Sequence, residues 1–251
     1  MPLAAAQIRS SKQIKTQAFC SFTIRYRVYL LGKEGFTMTI TIREPGSALT
    51  HFAGILLAVF AAFPLLLRAA FRGGYTSVIS MAAYILSMLL LYLASTVYHS
   101  VNVRPGVLRI YRKLDHMMIF ILIAGSYTPV CLLVLPPATG RPLLILVWAA
   151  AFVGMMMKAF WITCPKWLSS SVYILMGWLC IFHVKDILEA MPHPAFLWLL
   201  AGGIIYTIGG VIYALKLPLF PPKKYFGNHE LFHLFVLAGS ICHFLCMYQC
   251  L

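Results

Sequence analysis

Seven long apolar stretches dominate this sequence and restrict how it can fold. Each approaches the roughly 20 residues that a helix needs to cross a hydrocarbon core. They lie near residues 48–71, 76–99, 115–135, 142–162, 169–189, 195–216 and 229–250. Only 10% of the residues are charged, against about 25% in an average soluble domain. The connections are short, so we predict one all-α integral membrane bundle of seven transmembrane helices over residues 44–251.

The distribution of Lys and Arg between the connections predicts the orientation of the bundle. Positively charged residues collect on the cytoplasmic side of membrane proteins. With the amino terminus inside, the inner connections carry Arg43, Arg104, Arg109, Arg112, Lys113, Lys158, Lys166, Lys216, Lys223 and Lys224. The outer connections then carry Arg68, Arg72, Arg141 and Lys185. We therefore predict a cytoplasmic amino terminus and an outer carboxyl terminus.

The first 43 residues form a basic amino-terminal extension that lies outside the apolar pattern. We expect either a disordered arm or an artefact of a start codon placed too early. The letters "KEGFTM" fit a purine-rich ribosome-binding sequence followed by Met38. The hypothesis that translation starts at Met38 rather than Met1 is refuted if the native protein yields a peptide from residues 1–37.

Ionisable side chains gather at one predicted depth of the bundle, near the cytoplasmic face. The ionisable residues are Glu44, His51, His99, Asp115, His116, His229, Glu230 and His233, and the polar Ser95 lies at the same depth. Charged and ionisable groups are costly within a membrane and therefore indicate a functional site. His229 and His233 are four residues apart, so their imidazoles lie on one helical face, about 6 Å apart along the axis.

A zinc site needs at least one further protein ligand besides these two histidines. His243 lies about 21 Å further along the helix than His229 and is excluded. His51, His99 and His116 have the right depth, and His99 is favoured because Ser95 shares its helical face. Asp115 is expected to orient a histidine or a water, and His51 is expected to stay outside the ligand set.

The letters "HELFH" also match H-E-x-x-H, the helical zinc signature of metalloproteases. A protease of that kind requires a further ligand downstream, but only 18 residues follow His233 and none is Asp or Glu. Val236 stands where the metzincin extension requires Gly. An acidic residue in the first turn of a helix, such as Glu230, is also favoured by the helix dipole. The sequence therefore argues against a peptidase.

Three longer segments resemble bacterial hemolysin III proteins, which are related to progestin and adipoQ receptors and more distantly to alkaline ceramidases. They are "STVYH", "LDHMMIFILIAGSYTP" and "HELFHLFVLAGSICHF". The resemblance runs from about Glu44 to the carboxyl end. It implies a multipass protein of the bacterial plasma membrane with zinc held by His99, His229 and His233, and it matches Ser95 and Asp115 to family positions. The family motif E-x-x-N-x-x-T-H appears as "EPGSALTH", with Ser47 in place of Asn.

This resemblance leads to a functional hypothesis: zinc-dependent, ceramidase-like hydrolysis of a lipid amide or ester. Zinc in an open three-histidine site lowers the pKa of bound water towards about 7. Asp115 would act as base or orient the water, and Ser95 would donate to the developing oxyanion. A membrane lipid would be the substrate or ligand.

Two alternatives remain open at the level of sequence. The first is a cytolysin or haemolysis-associated protein, although the chain offers no water-soluble form and few polar helix faces for a pore. The second is a non-enzymatic regulator or sensor of membrane state, in which zinc acts as a structural clamp with Asp115 or His116 as fourth ligand. The coordination number separates the clamp from the enzyme.

Overall fold

In the described part of the chain, a pair of strands precedes a ring of helices. The computed structural model describes residues 22–28, 36–217, 219 and 226–251, so Lys223 and Lys224 of the orientation argument lie outside the described residues. The strands are β1 (Phe22–Val28) and β2 (Phe36–Ile42). The helices are α1 (Pro45–Arg72), α2 (Gly74–Ser100), α3 (Pro105–Pro129), α4 (Pro137–Phe160), α5 (Lys166–Gly177), α6 (Val184–Ala190), α7 (His193–Leu215) and α8 (Asn228–Gln249).

Seven helical segments in the described part of the chain are long and apolar enough to cross a membrane, as the sequence predicts. α1, α2, α4, α7 and α8 each form one span. A π-helical turn at Val130–Val134 extends α3 to complete the third span, and α5 and α6 together form the fifth (Lys166–Ala190). Pro45, Pro105 and Pro137 open their helices, where the missing N–H costs nothing because it would have no partner within the helix.

The spans pack in chain order, and α8 closes the ring against α1. Burial is greatest in the second, third and seventh spans, where 50%, 56% and 44% of the residues in an 18-residue apolar stretch are buried. These three spans therefore build the centre of the bundle. Tyr84 and Tyr92 of α2 and Phe120 of α3 are among its largest fully buried side chains.

The fifth span differs from the continuous helix that the sequence predicts over 169–189. α5 ends at Gly177, a 3₁₀ turn follows at Leu179–His183, and α6 resumes the span. The Tyr127 hydroxyl of α3 lies 2.7 Å from the carbonyl of Gly177 and accepts the N–H of Cys180 at 3.0 Å. It thus satisfies backbone groups that a break would otherwise leave unpaired in an apolar medium.

Within the amino-terminal extension the described residues form the two strands, and the alternatives of a disordered arm or an early start codon stay predictions. β1 and β2 pair antiparallel, with Phe22 opposite Ile42 and Val28 opposite Phe36. Alternation of apolar or aromatic residues with Thr and Arg along "FTIRYRV" fits the two-residue period of a strand. Met38, the hypothetical start, lies within β2 opposite Tyr26.

Candidate metal centre

The candidate site lies at the end of the bundle where α1 begins, α2 ends and α8 begins. The chain leaves β2 and pairs with the last turn of α2: Arg43 N–H donates to the Ser100 carbonyl at 3.3 Å, and Glu44 N–H donates to the His99 carbonyl at 2.9 Å. These bonds satisfy two carbonyls that a helix end otherwise leaves without partners. They also place the side chain of Glu44 beside His99.

Three imidazoles converge at this end. Nε2 of His99 lies 3.2 Å from Nε2 of His229, and the ring centroids of His229 and His233 are 4.4 Å apart. One potential ligand atom from each of the three residues lies within 4.8 Å of the other two. His99 and His233 are almost completely buried. The structure therefore brings together the three histidines that the sequence singles out.

The ring nitrogen of His99 that faces away from His229, Nδ1, is hydrogen bonded to a carboxylate. Nδ1 of His99 hydrogen bonds to Oε2 of Glu44, and the Arg43 guanidinium lies 3.3 Å from the same oxygen. Arg43 itself is fixed by a 2.8 Å bond to the Tyr98 carbonyl. An ionised carboxylate can only accept, so Nδ1 carries the proton and Nε2 of a neutral ring is left with its lone pair. That lone pair points towards His229.

The Nδ1 nitrogen of His233 is likewise hydrogen bonded, in this case to a hydroxyl. Thr50 Oγ1 lies 3.0 Å from Nδ1 of His233 and 2.9 Å from the Ser47 carbonyl. The single hydroxyl proton is donated to that carbonyl, so Oγ1 accepts the N–H of Nδ1. Nε2 of His233 is consequently also free to bind a cation. Such outer hydrogen bonds fix the orientation and tautomer of histidine ligands in metal sites.

The arrangement fits a zinc ion. Bonds of about 2.0–2.1 Å to a tetrahedral ion separate neighbouring ligand nitrogens by roughly 3.3 Å, close to the 3.2 Å between His99 and His229. Neutral imidazole nitrogens are among the ligands that zinc prefers. Within the described residues the cluster contains three histidines and no Cys, Asp or Glu. The geometry can hold one cation and leave a coordination position for water or substrate.

Glu230, the acid of the "HELFH" pattern, is engaged in structure. Its Oε2 accepts the Gly227 N–H at 2.8 Å at the start of α8. Its Oε1 accepts the hydroxyl of Ser47 from α1. Both carboxylate oxygens therefore stabilise the helix end and its contact with α1, in keeping with the expectation that this acid serves its helix.

The other predicted site residues lie near the cluster without belonging to it. Ser95 is fully buried one turn before His99, and its hydroxyl has no hydrogen-bond partner among the described residues. Asp115 is buried on α3, and its carboxylate lies 3.3 Å from Nδ1 of His116. That nitrogen also contacts the Arg112 carbonyl at 2.9 Å. Neither Asp115 nor His116 joins the three-histidine group.

His51 lies against the cluster as a packing residue. Its ring stacks on that of His233 with centroids 3.6 Å apart and planes 6° apart. Both of its nitrogens are buried without a hydrogen-bond partner in the described part of the chain. His51 is not part of the three-histidine group found among the described residues, and its exclusion from the ligand set stays a prediction.

A largely apolar cavity of about 230 Å³ opens beside the cluster. His51, Asp115, His229 and His233 contribute to one end of its wall, whereas His99 and Ser95 do not line it. Along α7 the wall runs from Tyr213 to Phe196, which corresponds to about 26 Å of helix. The cavity is therefore long relative to its volume, with its charged side chains at the histidine end.

Sequence reasoning did not assign the outer contacts of the histidines to Glu44 and Thr50. Both residues stand in "EPGSALTH", so a signal was present. Its meaning depends on α1 packing against α8 and on the backbone bonds that join Glu44 to the end of α2. Neither contact can be read from a single sequence.

Seven membrane-crossing helices around a buried histidine cluster define a multipass membrane protein with a candidate metal centre. The family model described as "Haemolysin-III related" matches residues 39–244. Hemolysin-3 of Bacillus cereus is 38% identical over 212 residues, covering 84% of this chain and 93% of that protein. The Hemolysin-3 homolog of Bacillus subtilis is 38% identical over 208 residues, covering 82% and 94%.

A more distant likeness connects the chain to a eukaryotic receptor group. The ADIPOR-like receptor IZH2 of Saccharomyces cerevisiae is 34% identical over 80 residues, covering 30% of this chain and 24% of that protein. No solved structure matches the chain. The chain belongs to the haemolysin-III-related family, and it is a multipass protein of a bacterial cell membrane.

Proposed function

We propose that the protein is a zinc-dependent hydrolase that cleaves an amide or ester bond of a membrane lipid. His99, His229 and His233 would hold the ion through their Nε2 atoms. Zinc bound in this way acts as a Lewis acid and makes water a stronger acid. The remaining roles belong to side chains of this protein that surround the ion.

The observation that carries the proposal is the cavity that begins at the histidine cluster. Its long, narrow and apolar shape suits an extended hydrocarbon chain, because apolar surface gains free energy when it leaves water or a polar head-group region. Its wall includes His229 and His233 at one end. A lipid with its tail along α7 would thus bring its head-group linkage to the cluster.

Two side chains would handle the proton and the developing charge. The Asp115 carboxylate faces the same cavity as His229 and His233, and we assign to it the role of orienting a water and accepting its proton. Ser95 is buried with an unpartnered hydroxyl, one turn from His99. Because Ser95 does not line the cavity, we assign to that hydroxyl a hydrogen bond to the water at the cluster, through which it would stabilise the negative charge that develops there.

The number of ligand residues in the cluster favours an enzyme over a protein in which zinc is a structural clamp. Structural zinc sites are closed by four protein ligands, whereas catalytic sites keep one position open. The two candidates for a fourth ligand, Asp115 and His116, lie outside the three-histidine group in the described residues. Three ligands beside a cavity are the arrangement expected for turnover.

The proposal predicts that His99→Ala abolishes zinc binding and lipid turnover together. Elemental analysis of detergent-purified protein should give about one zinc per unaltered chain and almost none for the variant. Lipid mass spectrometry of cells with and without the protein should then identify a lipid whose hydrolysis depends on it. His193→Ala is the matched control, because His193 is exposed at the other end of the bundle and its loss should change neither result.

Unchanged zinc content in His99→Ala would remove His99 from the ligand set. Zinc binding without any lipid difference between the two cell populations would favour a regulatory role. The name of the Bacillus cereus relative, Hemolysin-3, makes membrane lysis the second candidate function. Release of an encapsulated dye by the purified protein, unaffected by His99→Ala, would favour lysis over hydrolysis.

A further inference from the structure

Lys158 is a buried cation at the end of α4, on the same side of the membrane as the histidine cluster. Its side chain is among the largest that are fully buried. The ammonium group donates to the Ser169 hydroxyl and lies 3.0 Å from the Cys164 sulfur. These groups provide hydrogen-bond partners but no carboxylate. A buried ammonium without an opposite charge is costly, so a lysine at this position calls for an explanation.

The described acidic residues do not neutralise Lys158. The chain has six acidic residues, of which Glu34 lies outside the described residues. The five described acids contact other groups: Glu44 with Arg43 and His99, Asp115 with His116, Asp186 with His183, Glu189 with Lys185, and Glu230 with Ser47 and Gly227. None of them lies within ion-pair distance of Lys158.

Two further cations line the same cavity as Lys158. They are Arg112 of α3 and Lys166 at the start of α5, and neither is paired with a described carboxylate. The ammonium of Lys166 lies 4.1 Å from the ring centroid of Tyr213, whose ring lies 5.7 Å from that of His229. At its histidine end the cavity is thus lined by three cationic side chains and one carboxylate, that of Asp115, whereas no Lys, Arg, Asp or Glu among the described residues lines the remainder.

We infer that this cavity binds a long-chain lipid with an anionic head group, a carboxylate or a phosphate, and that Lys158 is the primary contact of that anion. The ligand would supply the opposite charge that the described residues do not, through charge-assisted hydrogen bonds in a site of low polarity. Its tail would extend along α7. The inference rests on the proposed function, because it assigns a substrate class to the same cavity.

Three amphiphiles that share one hydrocarbon chain test this inference: oleate, oleyl phosphate and oleyl alcohol. Binding to the full chain in phosphatidylcholine nanodiscs would be measured by isothermal titration calorimetry. At least one of the anions should bind about tenfold or more tightly than the alcohol, as expected for a charged hydrogen-bond partner. Tighter binding of oleate identifies a carboxylate site, and tighter binding of oleyl phosphate identifies a phosphate site.

Substitution of Lys158 then tests whether its ammonium group is the contact of the anionic head group. Lys158→Met should weaken binding of the preferred anion by about 10- to 100-fold and leave the alcohol unaffected, whereas Lys158→Arg should retain most of the anion preference. Lys185→Met is the control, since Lys185 is exposed and lies towards the opposite end of the fifth span. Zinc content of each variant separates this result from a disturbed metal centre.

The inference is overturned if the alcohol binds the unaltered protein as tightly as both anions, a comparison that needs no variant. It is equally overturned if a folded Lys158→Met protein keeps the full anion preference. Because binding is measured without turnover, a protein that binds the anion but hydrolyses nothing would contradict only the proposed hydrolase.

Discussion

Single residues around the histidine cluster determine which ring nitrogen is available to a cation. Glu44 holds Nδ1 of His99, and Thr50 holds Nδ1 of His233. Both contacts leave Nε2 facing the cluster, so two of the three rings have the tautomer that metal binding needs before any ion arrives. This preorganisation is the main contribution to the site of the segment that leads into α1 and of the first turns of that helix.

Loss of the Glu44 charge should weaken the metal centre. Glu44→Gln retains an acceptor oxygen beside Nδ1 of His99 but removes the negative charge that makes the ring a stronger ligand. We expect zinc affinity to fall by about 10- to 100-fold. Competition with a chelator of known zinc affinity, applied to the purified protein, measures the change.

Glu189→Gln is the control for this prediction, because the Glu189 side chain is exposed and pairs only weakly with Lys185 at 4.0 Å. Its zinc affinity should equal that of the unaltered protein. Equal affinities for the Glu44 and Glu189 variants would mean that the contact with His99 does not support metal binding.

The histidine cluster could be predicted from the sequence because helix spacing and membrane depth are regular quantities. His229 and His233 share a helical face, and alternation of the spans brings the end of α2 to the same side as the start of α8. The roles of Glu44 and Thr50 could not be predicted, since they depend on side-chain contacts between distant spans. The sequence favours Lys158 as an inner cation whose ammonium reaches the interface, whereas the structure buries it in the wall of the cavity.

At the scale of elements, the helices follow from hydrophobicity and length, but their interruptions do not. The break after Gly177 lies inside an apolar run, and it depends on the Tyr127 hydroxyl contributed by another helix. That hydroxyl belongs to α3, so the sequence of the fifth span alone does not indicate the break.

Close contact between α7 and α8 depends on Gly202. A Cβ atom at this position would lie 2.3 Å from Cδ2 of His243 and 3.2 Å from the Gly239 carbonyl oxygen. Because one of these neighbours is backbone, the helices would have to separate. We expect Gly202→Ala to destabilise the protein by about 1–3 kcal/mol, seen as a lower midpoint of thermal unfolding in detergent.

The adjacent residue provides the matched comparison. A Cβ atom at Gly203 would come no closer than 3.8 Å to its nearest neighbour, the ring of Trp178. Gly203→Ala should therefore be neutral or slightly stabilising, since alanine favours helix more than glycine does. Similar midpoints for the two variants would show that the packing of α7 on α8 tolerates a methyl group.

At the scale of the whole molecule, the ring of seven spans separates charge between its two ends. The end that contains the histidine cluster and Lys158 also carries most of the Lys and Arg of the connections. The positive-inside rule therefore predicts that this end faces the cytoplasm. On this orientation the cluster would meet lipids of the inner leaflet.

Reporter fusions test the orientation directly. Alkaline phosphatase folds only outside the cytoplasm and should be active when it follows Leu251. A fluorescent protein that folds only in the cytoplasm should emit when it is fused after Leu217, in the connection between α7 and α8. The opposite pattern would place the histidine cluster on the outer side and invert the predicted topology.

The order of the cluster residues along the chain has a consequence for biosynthesis. Glu44 and His99 emerge early, whereas His229 follows His99 by 130 residues and belongs to the final span. The pocket for the ion can close only after the last helix has entered the bilayer. A bound ion would then link the last span to the second one. Chains that stop inserting before that step would leave the translocon without the ion.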